Sequence, residues 1–186
     1  MPSNTKAILA NSLTALIKTR TLDQIKIKDI TDHCGFNRQT FYYHFHDIYD
    51  LLEWIVRQEL EIILTSKSEF KNWHEVIKHI FTKMIKNKSL YRNIYASMNI
   101  TWVRTLLEDF SQPLVSIVLK SYAKEVEISS ENFSFLVEYY SLIIMSMTLQ
   151  WLADGMPEDR IKDIEKYLVI MDGSIEWALK KFSTKR

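Results

Sequence analysis

The chain has few of the residues that interrupt helices, with three glycines and three prolines among 186 residues. That scarcity argues against a sandwich or barrel rich in tight turns and against a disordered linker protein; long helices are the natural alternative. A single cysteine, Cys34, excludes an intramolecular disulfide and any multi-cysteine zinc module, and fits a reducing cytosol. An excess of charge is also missing. Lys and Arg number 24 against 23 Asp and Glu, a net +1, so any electrostatic argument has to be local. The N-terminal MPSNTKAILANS carries no long apolar run, so no signal peptide is expected. The most apolar stretch, Tyr139 to Ala153, is interrupted by Ser141, Ser146, Thr148 and Gln150 and is expected to be too short to span a bilayer. The expectation is a cytoplasmic protein with no membrane partner.

What the chain does have is helical periodicity, over a length that suits one large or two small domains. From Asn4 to Thr19, Ile8, Leu9, Leu13, Leu16 and Ile17 form one apolar stripe, and Lys18 and Arg20 suit the negative end of that helix. Leu22 and Ile25 anchor a connector. A second, short helix is predicted over Ile27 to Cys34. Gly35 then takes the left-handed position, and Asn37 caps a third helix running from Arg38 to His44 or Phe45. Asp47, helped by Asp50, opens a fourth helix through Leu51, Leu52, Ile55, Val56 and Leu60. Helices are predicted over Trp73 to Asn87, Ser89 to Met98 and Thr101 to Glu125, the last kinked or broken at Pro113. Two long helices follow, Glu131 to Asp154 and Glu158 to Phe182. The fold class is all-α, with a division at residue 46 into a smaller N-terminal unit, 1–46, and a larger C-terminal unit, 47–186.

The stretch CGFNRQTFYYHF, residues 34–45, fits neither a plain core nor a plain surface. At about 100° per residue, Phe41 and Phe45 share one side of the third helix. Gln39 and Tyr43 point away from it, flanked by Thr40 and Tyr42. A short helix, a glycine turn and a capped second helix make a helix-turn-helix, whose second helix enters the major groove. Gln39 and Thr40 can bond base edges, while Tyr42, Tyr43 and His44 can reach bases or phosphates. Exposed rings make sense if DNA covers them. The plainer alternative is a helical corner with solvated tyrosines.

The segment IKIKDITDHCGFNRQTFYYHFHDIYDLL closely resembles the DNA-binding domain of the tetracycline-repressor (TetR) family. The resemblance is carried by Ile27, Asp29, Ile30, Gly35, the run Thr40, Phe41, Tyr42, Tyr43, His44 and Phe45, and the restart at Asp50 and Leu51. It implies a homodimeric transcription regulator that reads a near-palindromic operator on double-stranded DNA. By position it implies DNA contacts at Lys28, Asn37, Arg38, Gln39, Thr40, Tyr42, Tyr43 and His44. Three departures stand out. Lys26 replaces the usual hydroxyl cap, Thr31 a common alanine, and Ile48 a lysine that often contacts phosphate. More loosely, YRNIYASMN and LQWLADGMPE resemble the branch that contains activators of dihydroxyacetone kinase operons. That branch implies activation with a protein related to the kinase as co-regulator, where the wider family implies a small-molecule effector and repression.

Ile164, Leu168, Met171 and Ile175 repeat at alternating three-four spacing, a seam for another helix. With Tyr140, Ile144, Met147 and Trp151 on its nearly all-round apolar neighbour, they are the expected dimer interface, although packing within one chain would give the same pattern. The five tryptophans are expected in the core ahead of a ligand pocket. In the sensor half, Asn99 and Thr101 are the polar candidates, without a charge cluster that would define a ligand.

No catalytic, metal or cofactor site is expected. HEVIKH, His74 to His79, resembles a zinc-protease helix, but its histidines are five apart, about 140° around a helix, and cannot share a metal. Both read as surface residues. His33, Cys34, His44 and His46 match no standard metal spacing. An all-α enzyme or metal-binding protein is the alternative of a different class.

Overall fold

The computed structural model describes residues 2–65, 72–97, 100–124 and 126–184. These form nine α-helices: α1 (Pro2–Ile17), α2 (Ile27–Cys34), α3 (Arg38–His44), α4 (Ile48–Thr65), α5 (Trp73–Lys86), α6 (Lys88–Ser97), α7 (Ile100–Tyr122), α8 (Ser130–Ala153) and α9 (Ile161–Phe182). A 3-10 turn at Leu22–Gln24 separates α1 from α2. Among the described residues there is no strand, only an isolated antiparallel bridge between Ile128 and Ser183.

The first three helices pack through Leu9, Leu13, Ile17, Leu22, Ile25, Ile30, Phe41 and Phe45, all buried. Each such side chain taken from water stabilises the fold by about 1.5–3 kcal/mol. The same hydrophobic cluster continues through Leu51, Leu52, Ile55 and Val56 of α4 into α5, α6 and the first half of α7. The N-terminal helices are therefore seated on a shared core rather than tethered by a linker. A second cluster, with Val115, Val118 and Leu119 of α7, Leu136 and Tyr140 of α8, and Met171, Ile175 and Leu179 of α9, closes the far end.

Four expectations are corrected here. Helix α7 runs unbroken through Pro113. Proline removes one helical hydrogen bond and crowds the carbonyl four residues back, but Pro113 and Asp109 both face solvent, where water can take that carbonyl. Burial of Val103, Leu106, Leu114, Val115 and Val118 holds the two halves in one helix.

Helix α8 has 24 residues and is long and apolar enough to cross a bilayer by length and composition. Shortness is therefore not what marks it. Its inner side, Leu136, Tyr140, Met145, Trp151 and Leu152, is instead packed into the protomer.

The expected dimer seam is an intramolecular one. Ile164, Leu168, Met171 and Ile175 of α9 and Tyr140 and Trp151 of α8 are buried within a single protomer, and Ile144 and Met147 are half-buried against the same core. The large apolar side chains that face outward are Phe135, Tyr139 and Leu142 on α8, and Tyr167, Val169, Ile170 and Trp177 on α9. Trp177 is thus not a core residue, being 61% exposed.

Candidate nucleic-acid interface

The turn between α2 and α3 is built from short-range hydrogen bonds. Lys26 cannot accept a helix N–H, but Asp29 in the first turn reaches back and accepts from the Lys26 N–H at 2.7 Å, supplying half of a capping box. At the other end Gly35 adopts φ +74°, a left-handed conformation that is costly for side chains with a Cβ. The Phe36 N–H then closes on the Thr31 carbonyl at 2.9 Å. Asn37 caps α3: its Oδ1 accepts from the Thr40 N–H at 2.8 Å and the Thr40 hydroxyl at 3.0 Å. Thr31 is buried where α2 meets its neighbours, and its hydroxyl is satisfied by the Ile27 and Lys28 carbonyls, each at 3.1 Å.

Helix α3 is fixed from beneath. Phe41 and Phe45 are 0% and 3% exposed, with ring centroids 5.9 Å apart, and Trp54 of α4 meets Phe45 at 5.9 Å. Lys6 of α1 lies over the Phe45 ring, 5.3 Å from its centroid. Below α2, the Ser12 hydroxyl donates to the Ile30 carbonyl at 2.8 Å and lies 3.0 Å from His33 Nδ1. His33 is therefore held by α1.

The opposite side of α3 is open. Tyr43 is 84% and Tyr42 59% exposed; Arg38 and Gln39 are exposed, and Thr40 and His44 are half-buried. The Tyr43 ring meets His44 edge-on at 4.9 Å. Lys28 is exposed on α2, and neither it nor Arg38 has an acidic partner among the described residues. Six of the eight expected contact residues thus present free polar atoms or rings, while the Thr40 hydroxyl donates to Asn37. Asn37 is different, because its carbonyl oxygen is already committed to the cap. Tyr49, early in α4, adds an exposed ring that the sequence pattern did not single out.

Helix α4 begins with a reciprocal cap. Asp47 accepts from the Asp50 N–H and Asp50 from the His46 N–H, both at 2.9 Å. Burial works against the Asp47 charge, but hydrogen bonds from Asp50, His46 and Tyr49 outweigh it and hold its carboxyl below the ordinary value. Ile48, where a lysine would contact phosphate, is half-buried against the core.

The C-terminal helices enclose a cavity of about 90 Å³ whose walls include Ile77, Phe81, Met84, Val103, Phe110 and Ile144. Most polar groups at its edge are already paired; Lys83, which also lines it, has no acidic partner among the described residues. The Tyr91 hydroxyl donates to Glu59 at 2.7 Å and Asn87 donates to the same carboxylate at 3.1 Å. Thr148 bonds the Ile144 carbonyl at 2.8 Å and Ser111 the Glu108 carbonyl at 3.3 Å. Burial, then the Glu59 charge and hydrogen bond, pushes Tyr91 well above an ordinary phenol. Thr101 is exposed and does not line the cavity, and Asn99 lies outside the described residues.

His74 is not the surface residue the sequence suggests. Its Nε2 lies 2.8 Å from Asp172 of α9, whose other oxygen accepts from Trp73 Nε1 at 3.0 Å and the Tyr122 hydroxyl at 2.5 Å. This cluster ties α5, α7 and α9 together.

Residues 71–173 match the TetR-family profile described as a transcriptional regulator C-terminal region. A curated relative, the helix-turn-helix dhaKLM operon transcriptional activator DhaS of Lactococcus lactis subsp. lactis strain IL1403, is 22% identical over 152 residues, 81% of each chain. A solved structure of a dihydroxyacetone kinase operon activator DhaS superposes with a TM-score of 0.74 at 21% identity, over 97% of this chain and 98% of that one. A TetR transcriptional regulator from Streptococcus agalactiae 2603V does so at 0.58 and 18% identity, over 91% and 93%.

Proposed function

The chain belongs to the TetR family of transcriptional regulators, and we propose that it binds operator DNA through the outward face of α3. The observation that carries this reading is the division of one seven-residue helix: Phe41 is fully buried while Tyr42, Tyr43, Gln39 and Arg38 face out. On a helix so short, two exposed tyrosines add nothing to folding and are suited to a groove. Gln39 and Tyr43 read bases; Arg38, Lys28 and the flanking Thr40, Tyr42 and His44 position the helix on phosphates. Asn37 acts by holding the N-terminus of α3. Residues 1–46 form the DNA-binding unit and 47–186 the regulatory one. Footprinting on the DNA upstream of the chain's own gene tests the reading.

The operator is read by a homodimer whose interface uses the outer faces of α8 and α9. Phe135, Tyr139 and Leu142 fall at helical spacing on α8, as do Tyr167, Ile170 and Trp177 on α9. Gly173, with open space about it, lies within the α9 stripe, where another helix can approach closely.

The likeness to DhaS supports activation of a dihydroxyacetone kinase operon, with a protein co-regulator carrying the signal. The cavity favours this over direct sensing of the sugar. A three-carbon sugar is polar and the walls are mostly apolar; Tyr91, Ser111 and Thr148 are already bonded, which leaves Lys83 as the free donor for it among the described residues. Calorimetry of the protein with dihydroxyacetone should give no binding alone and a response only with a sugar-binding partner. Micromolar binding to the regulator alone would restore an ordinary small-molecule mechanism.

A further inference from the structure

The end of α1, the 3-10 turn, α6 and the end of α8 surround an open cleft of about 660 Å³, lined by Lys18, Arg20, Lys88 and Arg92. Among the described residues no carboxylate lines it. Asp154, next in sequence to two lining residues, is occupied by Arg160 and Gln150, each at 2.9 Å. Arg20 has Asp29 at 3.7 Å, a long and exposed pair, and Lys18, Lys88 and Arg92 have no acidic partner among the described residues. Four cations therefore line one cleft, and only Arg20 has an anion beside it.

The helix dipole accounts for only half of them. Lys18 and Arg20 follow the C-terminal end of α1, where positive charge is favourable. Lys88 opens α6 and Arg92 lies one turn on, at the end where positive charge is unfavourable, and the first turn of α6 has no acidic residue. Like charges gathered at the wrong end of a helix destabilise the fold unless an anion offsets them. The hydroxyls of Thr21 and Ser89 line the same space.

We propose that this cleft binds a small phosphate-bearing anion. A dianion with several acceptor oxygens matches two arginine forks and two lysines, whereas a single carboxylate leaves most of that charge unmet. The concave shape suits a small ion rather than a duplex backbone. Asn93 links the site to the DNA-binding helices. Its Oδ1 accepts from the Leu22 N–H at 3.0 Å and its Nδ2 donates to the Ser89 carbonyl at 2.9 Å. An anion seated there bridges the end of α1 to α6, beside the bond by which Asn93 holds the connector to α2. If the operon encodes a kinase, as proposed above, the product differs from the substrate by such a phosphate; this link alone rests on that reading.

The test is heat unfolding of the full chain at matched ionic strength in chloride, inorganic phosphate, dihydroxyacetone and dihydroxyacetone phosphate. Phosphate and the ester should raise the midpoint, and chloride and the free sugar should not. In Lys88→Gln/Arg92→Gln the concentration of phosphate needed should rise at least tenfold, while the midpoint in chloride equals or exceeds that of the unmodified chain because repulsion is relieved. Should the double variant lose helicity, Arg92→Gln alone is read the same way. Equal responses to phosphate and chloride, or an undiminished phosphate response in the variant, overturn the site. Loss of DNA affinity with a shallower salt dependence in the variant assigns these cations to the duplex and also overturns it. A phosphate response with no preference for the ester keeps the site and overturns only the link to the kinase.

Discussion

Leu22 and Asn93, 71 residues apart in sequence, are joined by a backbone-to-side-chain hydrogen bond of 3.0 Å. The bond ties the connector after α1 to α6, and so couples the helices that carry the rings to those that carry the cavity. Such a bond contributes about 1 kcal/mol to stability. Asn93→Ala should lower unfolding stability by about that amount by denaturant titration, leave operator affinity within about twofold, and weaken the response to whatever signal the C-terminal helices receive. An unchanged response would remove this joint from the coupling.

The two faces of α9 make opposite predictions. Ile175→Glu places a charge in the protomer's own core, at a cost of several kcal/mol, and should unfold the chain. Ile170→Glu, at a position 67% exposed, should leave the helical signal intact and give a monomer by sedimentation, with operator affinity lost through the missing second half-site. A folded Ile170→Glu dimer would move the interface elsewhere.

That contrast also marks where the sequence stops being legible. The bounds of α2 and α3, the Gly35 turn and the caps at Asn37 and Asp47 are local, set by residues within five positions of each other, and the structure has them where the pattern put them. The inward Phe41 and Phe45 and outward Gln39 and Tyr43 follow from helical geometry alone. On α8, apolar residues lie nearly all round, so periodicity cannot say which side meets α7 and which is left outward. The even seam on α9 therefore reads as a contact with a second chain or within one, and burial in the protomer decides for the latter. Pro113 permits either a kink or a break by its local cost; that α7 is not broken there follows from burial on both sides of it, which no local pattern shows. The cleft cations and the Asp172 cluster bring together residues about 50 to 100 positions apart, with no motif to announce them.

Tyr91 gives a pH-dependent prediction. Its hydroxyl titrates above the ordinary phenol value of 10.0 in the folded chain, so above that pH the unfolded chain loses the proton first. Stability from this group is complete below pH 10 and falls as pH rises through the folded value. Tyr91→Phe should cost about 1–3 kcal/mol near neutrality, because Glu59 loses a donor, and should flatten the alkaline decline. An alkaline profile parallel to that of the unmodified protein would assign the decline to other groups.

The central claim is that the exposed face of α3 reads DNA. The measurement that tests it most directly is the affinity of Gln39→Ala and Tyr43→Ala for a duplex the unmodified protein has selected from a random pool, at fixed salt. Each variant should lose about 1–3 kcal/mol of specific binding per base contact removed. Binding to unrelated DNA and thermal stability should stay nearly unchanged, since both side chains point away from Phe41 and Phe45. Selected-site affinity equal to that of the unmodified protein in both variants would contradict the assignment of α3 as the recognition helix.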